Sequence, residues 1–168
     1  MPALATRAAN KPFRTLTAAD LMSTHVLTIP QDTSLREAAR LLTGLNVSGA
    51  PVVDGYGCCL GVLSSSDFVT WACEREGKKE VTSFIAPWGE VINLDEAANN
   101  EIRHYMTTQP ITVTPNVLIG EMAQKMVDAH IHRLLVVEHG KPCGIVTSTD
   151  ILAAVMRETR TACRGDEM

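Results

Sequence analysis

Asp20-Leu-Met-Ser-Thr-His-Val-Leu-Thr-Ile29 and His104-Tyr-Met-Thr-Thr-Gln-Pro-Ile-Thr-Val113 are two copies of one pattern, with Met22 answering to Met106 and Thr28 to Thr112. Two further pairs keep the same order. Ala50-Pro-Val-Val-Asp54 lies over Leu134-Leu-Val-Val-Glu138, and Gly61-Val-Leu-Ser-Ser-Ser-Asp67 over Gly144-Ile-Val-Thr-Ser-Thr-Asp150. The displacement is 84 residues from Met22 to Met106 and 83 from Gly61 to Gly144, so the second copy has one residue fewer in its hairpin. An internal repeat of this kind means one supersecondary unit present twice.

Working outward from these anchors, each copy reads as a short leading helix, a strand at 26–29 or 111–113, and an amphipathic helix over 34–43 or 117–129. Leu35, Ala38, Ala39 and Leu42 fall at helical spacing in the first helix, and Ile119, Met122, Ala123 and Met126 in the second. The methionines at i and i+4 read as core fillers. Two strands follow, 50–53 and 60–63 or 134–137 and 143–146, joined by short turns containing Gly55 and Gly57 or Gly140 and Pro142. A last helix opens at Ser66-Asp67 or Thr149-Asp150, where a hydroxyl can cap free amides and a carboxylate suits the positive helix end. The expected fold class is therefore α/β (α+β), two tandem β-α-β-β-α repeats. A unit of about 50 residues leaves apolar sheet surface uncovered, which predicts pseudo-symmetric packing of the copies through their sheets.

The expected divisions are a flexible tail over 1–14, repeat one over 15–74, a linker over 75–99, repeat two over 100–160 and a tail over 161–168. The linker breaks the pattern: Glu74-Arg-Glu-Gly-Lys-Lys-Glu80 is charged and Phe84-Ile-Ala-Pro-Trp-Gly89 apolar. It reads as an extension of the preceding helix followed by packing residues, with a flap or dimer contact through Phe84 and Trp88 as the other option.

Composition bounds the function. The 168 residues, 45% hydrophobic and 20% charged, suffice for one core or two small ones sharing an interface. A net charge of -4 supplies no bulk attraction to nucleic acid or to an anionic membrane. The five cysteines are odd in number, have no metal-type spacing and follow no secretory leader, so the expected location is the cytoplasm. The histidines have no zinc spacing, and adjacent Cys58 and Cys59 point to opposite faces of a strand, so no metal site is expected. No nucleophile with a base and no phosphate loop of the GxxxxGK[ST] type appears, so no catalytic residues and no enzyme are expected.

The repeated combination of Met22 or Met106, the Thr28 or Thr112 strand, the Val-Val-Asp or Val-Val-Glu strand end and the Gly-x-x-[Ser/Thr]-x-[Ser/Thr]-Asp stretch resembles the CBS domain family, named after cystathionine β-synthase. The resemblance covers about 140 residues. It implies paired repeats with two clefts, adenosine-containing ligands in one cleft, both or neither, and dimers of such pairs. It further implies that Asp67 and Asp150 bind ribose hydroxyls and that Ser64, Ser66, Thr147 and Thr149 lie near phosphate. Thr28, Thr112 and the backbone at Ser48, Ala50, His132 and Leu134 would contact base and sugar. The Asp150 site would draw on copy one and the Asp67 site on copy two.

The chemistry suits these roles, because a carboxylate accepts from both ribose hydroxyls and a helix N-terminus favours phosphate. Both Ser/Thr-Asp stretches can equally be helix caps, and capping is compatible with binding. His132-Arg133 aligns with Ser48-Gly49, so only one copy brings cations, and the pair resembles the phosphate-binding pair of the AMP-activated kinase γ subunit. Unequal clefts are expected, the one lined by Arg133 preferring the more negative ligand. The alternative for Arg133 is a surface ion pair with Glu138 or another carboxylate.

The expected function is a regulatory, energy-sensing module. It would bind AMP, ADP, ATP or a similar nucleotide as a ligand, not a cofactor, and act as a homodimer on a separate effector protein. A dimerisation scaffold without ligand is the alternative. A single-strand nucleic-acid binder, using Lys11, Arg14, Lys78 and Lys79, is opposed by the charge and by an aromatic content of 4%.

Overall fold

The computed structural model describes residues 11–73, 83–85, 91–93 and 101–165, with side chains over 11–72 and 101–160. It is a mixed α/β structure, as the repeat predicts. The elements run α1 (Ala18–Leu21), β1 (Ile29–Pro30), α2 (Leu35–Gly44), β2 (Gly49–Val53), β3 (Cys59–Ser64) and α3 (Ser65–Cys73). Then come β4 (Ser83–Ile85), β5 (Val91–Asn93), β6 (Thr112–Val113), α4 (Ile119–Asp128), β7 (Arg133–Glu138), β8 (Lys141–Thr147) and α5 (Ser148–Gly165). Single 3₁₀ turns at Phe13–Thr15 and Ile102–His104 precede the two copies.

Each copy builds a three-stranded sheet, β1-β2-β3 or β6-β7-β8, its first pair parallel and its second antiparallel. The hairpins account for the lost residue. The strands of copy two close at Glu138↔Lys141 around His139 and Gly140, both at positive φ, which a two-residue hairpin turn requires. In copy one Val53 pairs Cys59, leaving the longer turn in which Asp54 accepts from the amides of Tyr56 and Cys58.

The helices bury the faces that their spacing predicts. In α2, Leu35, Ala38, Ala39 and Leu42 are all buried, and Ser34 caps the helix by accepting from the Glu37 amide at 3.2 Å. In α4, Ile119, Met122 and Met126 are buried and Ala123 is half-buried. The expected helical extension over 74–80 and the residue Trp88 lie outside the described residues. Phe84 stands in β4, which pairs antiparallel with β5.

The chain forms two compact units, and their boundaries cut across the repeats. One unit comprises Met1–Val26 with Ile111–Met168, the other Leu27–Pro110. The core of the first joins Leu16, Ala18 and Leu21, from the start of copy one, to Val113, Ile119, Met122, Met126, Leu134, Val136, Val146 and Ala154 of copy two. The core of the second joins Ile102, from the start of copy two, to copy-one residues such as Ile29, Leu35, Val52, Leu63, Phe68 and Trp71. Leu21 and Ile102 are fully buried, and each such side chain contributes about 1.5–3 kcal/mol to the unit that receives it.

The repeated glycines explain this exchange. Gly61 and Gly144 stand on the core faces of β3 and β8, opposite Val52 and Val136. A Cβ at Gly61 would lie 2.5 Å from the carbonyl oxygen of Thr107 and 3.0 Å from Sδ of Met106. A Cβ at Gly144 would overlap Sδ of Met22 and lie 2.7 Å from its Cγ. Each glycine thus opens a slot for the leading methionine segment of the other copy.

Candidate functional site

Both Ser/Thr-Asp stretches sit where a strand turns directly into a helix. β8 ends at Thr147 and α5 begins at Ser148, and Asp150 Oδ2 accepts from the Thr147 amide at 2.8 Å and its hydroxyl at 2.6 Å. β3 ends at Ser64, and Asp67 Oδ2 accepts from the Ser64 amide at 2.6 Å and its hydroxyl at 2.9 Å. Caps are therefore formed at both helix starts, but between Ser64 and Asp67 and between Thr147 and Asp150, two residues ahead of the Ser66 and Thr149 hydroxyls expected to cap.

A third copy of this cap supplies a comparison within the molecule. At the start of α1, Asp20 Oδ2 accepts from the Thr17 amide at 2.9 Å and its hydroxyl at 2.8 Å. Here the second oxygen is taken as well, because Lys11 Nζ stands 2.8 Å from Oδ1 and 2.9 Å from Oδ2. At Asp67 and Asp150, among the described residues, only Oδ2 is engaged. Oδ1 is left as an acceptor at a helix N-terminus.

The charges of these carboxylates respond to their surroundings in opposite directions. Burial pushes the Asp67 carboxyl up from its ordinary value of 3.8, against the lowering by the Ser64 amide and hydroxyl. Burial also acts upward on Asp20, but the hydrogen bonds from Lys11 and Thr17 and the Lys11 charge together bring it below 3.8. The folded Asp67 holds its proton more tightly than the unfolded chain does, so its contribution to stability falls as pH rises from about 4 through its folded value, then stays level. Asp20 contributes stability above about 4 that is lost as pH falls through its folded value. Asp67→Asn should therefore flatten the first slope, and Asp20→Asn the second, in thermal melts between about pH 3 and pH 7.

The sheets bring further residues to the same corners. In copy two, Thr147 pairs Arg133 and Thr112 pairs Leu135, which puts Thr112, Arg133, Leu135 and Thr147 on the face opposite the core. Thr149 is exposed in the first turn of α5, and the Ser148 amide donates to the His132 carbonyl at 2.9 Å, closing the corner. Copy one repeats this geometry: Ser64 pairs Gly49, the Ser65 amide and hydroxyl both donate to the Ser48 carbonyl, and Thr28 immediately precedes β1. The backbone reaches each corner from a left-handed residue at the helix end, Asn46 at φ 53° or His130 at φ 54°.

Two expected positions face elsewhere. Ala50 and Leu134 point into the two cores, so only their backbones are available to a ligand. The copies also differ beyond the cation. Gly49 cannot carry a side chain without movement, since a Cβ would stand 2.9 Å from the Leu63 carbonyl oxygen. The Ser66 hydroxyl is bonded to that of Ser64 at 2.8 Å. Sequence reasoning missed Ser65, whose hydroxyl bond to Ser48 no spacing announces, and it missed the Lys11 tie to Asp20. Lys78 and Lys79 lie outside the described residues.

Among the described residues no group of His, Cys, Asp or Glu could hold a metal ion, and no helix is long and apolar enough to cross a membrane. Burial pushes the thiols of Cys59 and Cys143 up, which keeps them protonated near neutrality.

The sequence profile described as the CBS domain matches residues 18–74 and 102–157, the two repeats read above. The chain belongs to the CBS domain family. A curated relative, Uncharacterized protein MJ1225 of Methanocaldococcus jannaschii, is 26% identical over 145 residues; these span 86% of this chain and 43% of that protein. The crystal structure of the CBS domain pair of protein MJ0100 in complex with 5′-methylthioadenosine and S-adenosyl-L-methionine is 25% identical with a TM-score of 0.65, spanning 86% of this chain and 98% of that one. The crystal structure of CBSX2 in complex with AMP shares the CBS fold at 23% identity and a TM-score of 0.67, over the same shares of the two chains.

Proposed function

We propose that this CBS pair is a regulatory module that binds an adenosine-containing ligand at its Ser/Thr-Asp corners and passes the bound state to a separate protein. The observation that carries this reading is the second oxygen of Asp67 and Asp150, open where the otherwise identical cap at Asp20 has a lysine across it. A carboxylate so placed accepts from the vicinal hydroxyls of ribose, and the adjoining helix start favours a phosphate or another electron-rich 5′ group. The two adenosine compounds held by the MJ0100 pair support the same ligand class. Arg133, across the strand pair from Thr147, gives the copy-two corner its preference for a phosphate-bearing ligand. Thr28, Thr112, Ser64, Ser66, Thr147 and Thr149 complete the two sets, with backbone from Ser48, Ala50, His132 and Leu134.

A thermal-shift screen against AMP, ADP, ATP, adenosine, S-adenosylmethionine and NAD tests the reading. A ligand at 100 times its dissociation constant stabilises by about 2.7 kcal/mol, a rise of roughly 5–10 °C for a protein of this size. AMP should give such a shift in the wild type and a smaller one in Arg133→Ala, while adenosine should shift both equally. No shift with any compound would leave the dimerisation scaffold as the better reading.

A further inference from the structure

Each sheet is edged by the leading segment of the other repeat. Ser23 exchanges two backbone hydrogen bonds with Ile145, at 2.9 and 3.0 Å, and Met22 fills the slot at Gly144. Thr107 exchanges two with Val62, both at 2.9 Å, and Met106 fills the slot at Gly61. Both clasped strands lead straight into an Asp corner, β8 through Val146 to Thr147 and β3 through Leu63 to Ser64.

Beyond each clasp the chain soon reaches a threonine of the other copy. From Ser23 it runs through Thr24, His25, Val26 and Leu27 to Thr28, and from Thr107 through Thr108, Gln109, Pro110 and Ile111 to Thr112. Neither run is slack. The Val26 amide donates to the Thr24 carbonyl at 3.1 Å, a three-residue turn, and Pro110 fixes its own φ. A short, stiffened run carries a displacement from one end to the other, where a flexible linker would absorb it.

We infer that Met22 with Ser23, and Met106 with Thr107, are reciprocal coupling clasps: each pins the strand feeding one Asp corner and is continuous with the leading strand of the other copy. Freeing a clasp at one copy therefore loosens the leading strand of the other. The coupling is a property of the unliganded chain and stands whichever ligand the corners take.

Hydrogen exchange on the full chain, read by NMR at single amides, tests this with Gly144→Ala, which displaces Met22. The Gln31 amide, which donates to the Val53 carbonyl at 3.0 Å, is the reporter for the leading strand of copy one. Exchange at Ser23, Ile145 and Gln31 should quicken about tenfold, while the α2 amide of Ala38, bonded to Ser34, keeps its wild-type rate. Met22→Ala, which empties the slot without forcing the backbone, should give the same pattern with a smaller amplitude and serves if Gly144→Ala does not fold. Quickening confined to Ser23 and Ile145 would overturn the coupling. Equal quickening at Gln31 and Ala38 would overturn it too, since the change would then be general destabilisation.

Discussion

Alanine at Gly61 should lower the melting temperature by roughly 6–12 °C, more than alanine at Gly144, the other glycine that faces a methionine. The added Cβ would stand 2.5 Å from the carbonyl oxygen of Thr107, a backbone atom held by its own pairing with Val62. Relief requires the Met106 and Thr107 segment to lift away, breaking two backbone hydrogen bonds and uncovering the core beside Ile102. Overpacking costs about 1–3 kcal/mol and each lost hydrogen bond about 1 kcal/mol, so about 3 kcal/mol is a fair total. Gly144→Ala should cost less, because Sδ and Cγ of Met22 can swing away, leaving only its Cβ at 2.9 Å to be relieved by a smaller shift of the Met22 backbone than Thr107 needs. Thermal melts of the two variants side by side check the ranking. Equal losses would mean that both segments yield as readily as a flexible side chain.

Asp150→Ala should weaken binding of a phosphate-bearing adenosine nucleotide about 100-fold, measured by calorimetry. Two charge-assisted hydrogen bonds from ribose hydroxyls, each contributing about 1.5 kcal/mol, account for that factor. The same variant loses the cap on α5, whose carboxylate accepts from Thr147 twice, at a further cost to stability of about 1 kcal/mol. Asp150→Asn separates the two effects. It keeps an acceptor for the cap and loses the charge that strengthens the ribose contact, so its melting temperature should stay close to wild type while its affinity falls. Unchanged affinity in both variants would remove Asp150 from the site.

Much of the fold was legible because it is written in local periods. The residues chosen for the inner face of α2 from spacing alone are the ones that the structure buries, and the strand ends fall within a few residues of their expected places. The shift from 84 to 83 places the shorter hairpin in copy two, where the strands close at Glu138↔Lys141. What spacing could not say was which sheet receives each leading segment. Leu21 and Ile102 announce an apolar face, but a local pattern does not name its partner across the chain. Met22 and Gly144 are repeated residues of one motif in the sequence, and only their contact shows why both recur.

The corners were legible as residue types and less so as arrangement. Serine, threonine and aspartate at a strand-to-helix junction state what a helix start needs, so they mark the place without saying whether a ligand shares it. What sets the three caps apart in structure is Lys11, nine positions from Asp20, which occupies one cap and has no counterpart at the other two among the described residues. The inward direction of Ala50 and Leu134 follows from strand alternation once the register is known.

The exchange of leading segments also orders events on the ribosome. All the described core residues of the unit spanning Leu27–Pro110 have been made once Ile102 has been added, so this unit can close while the rest is still being translated. Leu16, Ala18 and Leu21 are made earlier yet have only neighbours such as Phe13 and Met22 to pack against until β6, α4 and β7 emerge, several seconds later at about 5–20 residues per second. The earliest-made part of this core is thus the last to be buried, and through that interval an apolar segment of the nascent chain stands open to chaperones or to a neighbouring chain.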